Sequence, residues 1–224
     1  MSTVLSHTPS ESYEPIEAGN HTAICTQLID LGTQTEKAYE SDENVLNHKI
    51  RLTWELPHET YEYEDKESGE KHTVCRRISK EFKASLHEKA SLRKALASWR
   101  GRDFTEDELK GFDLANILGK TCMLNITHTE KGDKKYANIA AFAPLAKGME
   151  APKIETELIH YSIEDGYNDT YRTFPEFIKN KINAASENKT KTPADPSEMT
   201  PAMKEAGEAL ANLDPNDLEV DMPF

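Results

Sequence analysis

Apolar and polar positions alternate most cleanly in "HKIRLTWELP", where Ile50, Leu52, Trp54 and Leu56 interleave with Arg51, Thr53 and Glu55. A period of two predicts a strand with one buried face, and Pro57 is expected to stop it. Before it, "HTAICTQLIDLG" is rich in β-branched residues and predicts a first strand closed by Gly32, with the polar loop "TQTEKAYESDEN" after it. After it, "HETYEYEDKESGEKH" reads as a long hairpin connection and "TVCRRISKEFKASL" as a third strand. The period then changes. In "SLRKALASWRG", Leu92, Ala95, Leu96 and Trp99 fall on one helical face, with Ser91 as N-cap and Gly101 just past the end. Thr105 and Glu108 have the spacing of a capping box, and Asp113 can cap a further turn ended by Gly119. Two more strands follow, "KTCMLNITH" and "YANIAAFAPL", joined by the short Gly-containing hairpin "EKGDKK".

Three strands, a helix, then two strands in a tight hairpin is the element order of an OB-fold, a five-stranded, partly open Greek-key barrel. The fold class is therefore read as mainly β. A ferredoxin-like sheet would need a helix after its first strand, and the pattern shows none there. The expected organisation is a disordered segment at 1–18, an OB-like domain at 19–150 and an extension at 151–185. In the extension, "ELIHYSI" reads as one extra strand. "FPEFIKNKINAAS" reads as a helix with Phe177, Ile178 and Ile182 on one side, packing on the barrel or on a second copy. Residues 186–224, with four Pro before the terminal one and no aromatic until Phe224, read as a disordered acidic tail.

Charge sharpens the picture. The formal net charge of −13 alone argues against a nucleic-acid partner. Yet residues 71–135 hold 15 Lys and Arg against 9 Asp and Glu, and the remainder holds 12 against 31. A basic middle thus sits between acidic flanks. The three cysteines are far apart and read as buried, reduced thiols rather than a disulfide framework or zinc site. The first residues lack a signal region and no run is long and apolar enough for a membrane span, so a cytosolic protein is expected.

No catalytic constellation emerges. "HEKAS" opens like a zinc-protease helix but has Ser91 where the second His must coordinate, and there is no phosphate loop, Gly-x-Ser-x-Gly or Cys-x-x-Cys. The chain is accordingly expected to be no enzyme and to need no metal or cofactor. A binding surface fits better, because OB barrels hold single strands with a basic groove and aromatic stacking platforms. The third strand supplies Arg76, Arg77, Lys80 and Lys83 beside Phe82. The last hairpin supplies Lys131, Lys134 and Lys135 followed by Tyr136, and the first loop supplies Lys37 and Tyr39. Each has a plainer reading. Trp54, the remaining candidate, shares a face with Ile50, Leu52 and Leu56 and so reads as core before stacking platform. Phe82 is balanced between the two, and Tyr136 with its lysines also fits a solvated hairpin tip.

The last residues, "LDPNDLEVDMPF", resemble the acidic tip of bacterial and phage single-stranded DNA-binding proteins. The body resembles a phage family of such proteins with an OB-fold, from "GNHTAICTQLIDLGTQ" through "LRKALASWRGRDFTEDELKGFDLANILGKTCMLNITH" to "YANIAAFAPLAKGM", about 150 residues in all. That resemblance implies a sequence-tolerant single-stranded DNA-binding protein of replication or recombination, working in the cytoplasm of an infected bacterium. It also implies that the tip docks on a polymerase, helicase, nuclease or recombinase, through Asp217, Glu219, Asp221, Met222, Pro223 and Phe224. The Asp run is thinner here than in those families, with Glu219 and Val220 in its place. A homo-oligomer stays open. The rival expectation is an acidic protein that mimics DNA.

Overall fold

The computed structural model describes residues 14–38, 42–65, 68–132, 134–153 and 156–188. Tyr39, residues 189–224 of the expected tail and its docking residues therefore lie outside the described residues, whereas Ser186–Asn188, expected in that tail, form a 3-10 turn with Asn188 buried. Alternation builds the sheet as the pattern predicts: Ile50, Leu52, Trp54 and Leu56 all turn inward and are buried. Five strands form an antiparallel half-barrel, β1 (Gly19–Lys37), β2 (Asn44–Glu64), β3 (Lys71–Lys83), β4 (Thr121–Lys131) and β5 (Lys134–Ala143). Their order across the sheet is β3-β2-β1-β4-β5, and a short sixth strand, β6 (Ile159–Tyr161), pairs with β1. Gly19 stands opposite Ile126 and Ala23 opposite Cys122, so Ala23, Cys25, Cys122, Leu124 and Ile126 form part of the buried core. Burial pushes the Cys25 thiol up to about 12 and raises Cys122 as well, so both are inert, reduced thiols.

The strands are longer than the punctuation predicts. Gly32 does not end β1; it sits inside the strand at φ 71, its N–H bound to the Asp30 carboxylate (2.8 Å). Pro57 does not end β2 either. The inward positions run 50, 52, 54, 56 before it, and then the less exposed ones are Glu59 and Tyr61. The covered positions change from even to odd past Pro57 while the strand continues to Glu64. Most of the expected hairpin connection after Pro57 is consequently strand.

Between β3 and β4 lie α1 (Ser91–Arg100) and α2 (Glu106–Lys110). Ala90, not Ser91, is the N-cap of α1: the Ala90 N–H closes a turn onto the His87 carbonyl (2.8 Å), so Ser91 already belongs to the first turn. At the other end Gly101 adopts the left-handed conformation and its N–H bonds the Ser98 carbonyl, as its position predicts. Thr105 and Glu108 form the expected capping box, and Asp113 caps a 3-10 turn at Leu114–Ile117. Helix α1 packs on β3 and β5. Its Trp99 donates to the Thr121 carbonyl (2.9 Å) and lies 6.0 Å from the Trp54 ring. No helix among the described residues is long and apolar enough to cross a membrane.

The chain divides into two compact units, and the division does not follow the expected ranges. One unit holds the described residues up to Leu28 and then Arg51–Leu158; the other holds Ile29–Ile50 with the described residues from Ile159 onward. The second unit has its own core. Ile29 and Leu31 of β1 pack with Tyr161, with Tyr171 of α3 (Asp169–Thr173), with Phe174, and with Ile178 and Ile182 of α4 (Glu176–Ala184). Ile178 and Ile182, four apart, make the buried stripe; Phe177 is one step off it and stands 52% exposed, against its expected place on that face. Polar contacts fasten the same unit. His48 Nε2 meets Asp30 (2.8 Å), while Thr33 donates its hydroxyl to Glu187 (2.6 Å).

Candidate nucleic-acid interface

A cation already bound to a carboxylate offers little to a phosphate, so the basic segment must first be sorted by partner. Arg77 pairs with the buried Glu55 (3.0 Å), which also accepts from the Thr156 hydroxyl (2.6 Å). Lys80 donates to the Ile139 carbonyl of β5 (2.9 Å) and lies near the Phe82 and Phe142 rings. Arg93 binds Asp103 (2.9 Å), and Arg100 and Arg102 both bind Glu108. Arg102, then the Thr105 N–H, hold the Glu108 carboxyl down to about 2, so it stays charged and keeps both guanidinium groups engaged. Arg76 reaches the Glu14 carbonyl and lies 5.8 Å from the Tyr61 ring centroid. Lys83, Lys131, Lys134 and Lys135 remain exposed, with no ion pair among the described residues.

Three of those four lysines belong to one hairpin, whose register assigns each a face. Lys131 stands opposite Lys134, Thr129 opposite Tyr136 and Thr127 opposite Asn138. Alternate residues share a face, so these six lie together. Asn138 braces that face, donating to the Thr129 hydroxyl (2.9 Å) and the Tyr136 carbonyl (3.1 Å). Tyr136 is 46% exposed and lies next along that face from the two lysines. Lys135 falls on the other face, opposite Glu130 and in line with the buried Ile126 and Ile139. The hairpin therefore brings together Lys131, Lys134 and Tyr136 and separates Lys135 from them.

Other expected contacts are corrected. Trp54 is 0% exposed, 5.2 Å from Phe142 as well as beside Trp99, and cannot stack on a base. Phe82, at 2% exposed and 6.4 Å from Phe142, is likewise core. Lys80 and Arg77 are engaged as described. Lys37 pairs with Asp42 (3.3 Å) and belongs to the second unit.

A pair of aromatic residues escaped the sequence reading. Tyr63 is 44% exposed, with its ring 6.3 Å from Tyr61 and 5.3 Å from His72. The signal is "TYEYE", a period of two past Pro57, inside the stretch expected to be a hairpin connection. His21 bonds Glu59 (3.2 Å) near the start of β1, where Gly19 also meets Ile126, so the β2–β3 and β4–β5 hairpins both overrun β1 at the same end of the sheet. Their charges differ. Residues 58–72 hold six acids against two lysines, and residues 130–135 hold three lysines against two acids. A polyanion is drawn to the second hairpin and repelled by the first.

In comparison with known proteins, the chain matches no family model and no curated protein sequence.

Proposed function

We propose that this chain binds single-stranded DNA without sequence preference, in the manner of the phage single-stranded DNA-binding proteins that its sequence resembles. The observation that carries the reading is the exposed Tyr136 beside the facing pair Lys131 and Lys134 on one face of the β4–β5 hairpin. An aromatic ring beside two lysines offers a base a stacking surface and its phosphates two cations, a combination that tolerates any sequence. The half-barrel is compatible with a partly open OB barrel. Its order leaves β3 and β5 as the edges, and the Lys80 bond to Ile139 with the Phe82–Phe142 contact draws those edges together beside α1.

The test is a fluorescence-anisotropy titration with labelled oligo-dT, a mixed-sequence single strand and a duplex. Both single strands bind alike and more tightly than the duplex. If about four phosphates are neutralised, log K falls against log salt with a slope of about −3. A flat salt response, or strong preference for one sequence, contradicts the reading; no binding at all favours the acidic DNA mimic.

The recruiting role rests on the C-terminal resemblance. A tail with 9 acids against 3 lysines over 186–224 is attracted to exposed lysines and competes with DNA, whereas Phe224 is the one large apolar anchor near the end. Deleting 189–224 raises DNA affinity at low salt, and the gain shrinks as salt screens the competition. Phe224→Ala leaves that competition intact and abolishes binding to a replication enzyme in a pull-down. Equal DNA affinity of the full and truncated chains at low salt, or enzyme binding that survives Phe224→Ala, contradicts this assignment.

A further inference from the structure

The groups proposed to meet DNA sit on a part of the sheet with few neighbours. Gly19, the first residue of β1, pairs with Ile126, so residues 127–131 of β4 and their partners on β5 run on as two strands alone. A two-stranded hairpin by itself is marginally stable in water. Tyr136 and the lysines keep a fixed place only if something else holds this one.

Among the described residues, one side chain of that overrun hydrogen-bonds outside it. His128 donates from Nε2 to the Ile16 carbonyl (2.7 Å). Ile16 lies ahead of β1 and is buried, in the short segment 14–18. Other strands hold the same segment. Arg76 of β3 donates to the Glu14 carbonyl. His21 of β1 donates from Nε2 to the Glu17 carbonyl (2.9 Å), and its Nδ1 meets Glu59 of β2 (3.2 Å). Residues 14–18 thus form a strap tied to β3, β4 and β1, with a buried isoleucine at its centre. The strap reaches the hairpin from behind. His128 stands opposite Ala137 and alternates with Ile126 and Glu130, on the face away from Tyr136.

We propose that this strap holds the β4–β5 hairpin in its binding position, and that His128 is the positioning residue through which it acts. The inference rests on the functional reading above. In it His128 touches no DNA. Its ring fixes the strand beside Thr129, which stands opposite Tyr136 and accepts from Asn138. A hairpin already held in its binding conformation loses less freedom when a DNA strand docks, so the strap raises affinity without adding a contact. Only the N–H donor at position 128 matters to this role. Glutamine carries one on a side chain of similar reach, and alanine has none.

The test uses the full chain and two readouts. Without DNA, His128→Ala speeds hydrogen exchange at residues 127–138 and leaves the buried Ile24 and Leu52 as protected as before. With labelled oligo-dT, His128→Ala weakens binding about 2- to 13-fold, the range that one neutral hydrogen bond spans. The salt slope stays the same, because no phosphate contact is lost. His128→Gln restores most of both readouts. Ile16→Gly, which removes the buried anchor of the strap, gives a similar loss of binding. Adding His128→Ala to Ile16→Gly costs little more, since the two act through one contact. Faster exchange with unchanged DNA affinity, losses that add in the double variant, or a glutamine that rescues nothing overturns the proposal. So does a gain in affinity in Ile16→Gly, since the strap would then block DNA rather than brace the hairpin. An unsubstituted chain that binds no single strand fails the functional reading instead, and the exchange result alone then decides whether the strap holds the hairpin.

Discussion

Tyr136→Ala weakens single-strand binding by about 5- to 150-fold, the equivalent of the roughly 1–3 kcal/mol that stacking one base contributes. The loss is the same for poly-T and a mixed sequence, because every base has a face to stack. The lysines behave differently. Each phosphate contact on a single strand contributes about −0.7 to the salt slope, so Lys131→Ala with Lys134→Ala makes the slope shallower by about 1.4. Lys135→Ala, on the opposite face beside Glu130, changes it far less. All four residues are exposed on a hairpin, so folding is retained and a thermal melt checks it. A Lys135 effect as large as the other two would mean that DNA grips the hairpin from both sides. Unchanged binding in every variant would move the site away from β4–β5.

Gly32→Ala has the largest expected effect on stability. A Cβ there would stand 2.1 Å from the Ile163 Cδ1 and 2.7 Å from the Ala185 Cβ, at a φ of 71 that side chains adopt at a cost. Overpacking costs about 1–3 kcal/mol and the left-handed conformation about 1–2 kcal/mol more. The urea midpoint drops, and hydrogen exchange speeds most at Ile29, Leu31, Ile178 and Ile182, the core that Gly32 adjoins. Adding Ile163→Ala removes the closest contact and recovers part of the midpoint, though not the share due to φ. A midpoint equal to that of the unsubstituted chain would show that the neighbours yield without cost.

What the sequence made legible was local. The Thr105–Glu108 box, the Asp113 cap and the Gly101 terminus each depend on residues a few positions apart, and all three form. Trp54 was legible as core because it shares an alternating face with Ile50 and Leu56. Strand ends were not, because Gly32 and Pro57 break strands only where no neighbour holds the chain. Here a carboxylate receives the Gly32 N–H, and the covered positions change from even to odd past Pro57 while the strand runs on. The second core was hidden for a different reason. Its halves, Ile29 and Leu31 on one side and Tyr161 to Ile182 on the other, are separated by more than a hundred residues. No period in a short window joins them. The site was half legible. "KGDKKY" announced a basic aromatic hairpin, but only the register of β4 against β5 divides Lys135 from Lys131, Lys134 and Tyr136.

The most direct test of the central claim is a photocross-link between the full chain and a 5-bromodeoxyuridine-substituted oligo-dT, mapped by mass spectrometry after trypsin digestion. Cleavage after Lys135 and Lys147 releases a peptide with Tyr136 as its first residue. The account predicts that this peptide, from Tyr136 to Lys147, carries the nucleotide, that the adduct maps to Tyr136, and that unlabelled single strand competes it away better than duplex. Adducts confined to Tyr61 and Tyr63, or to residues of the second unit, would contradict it.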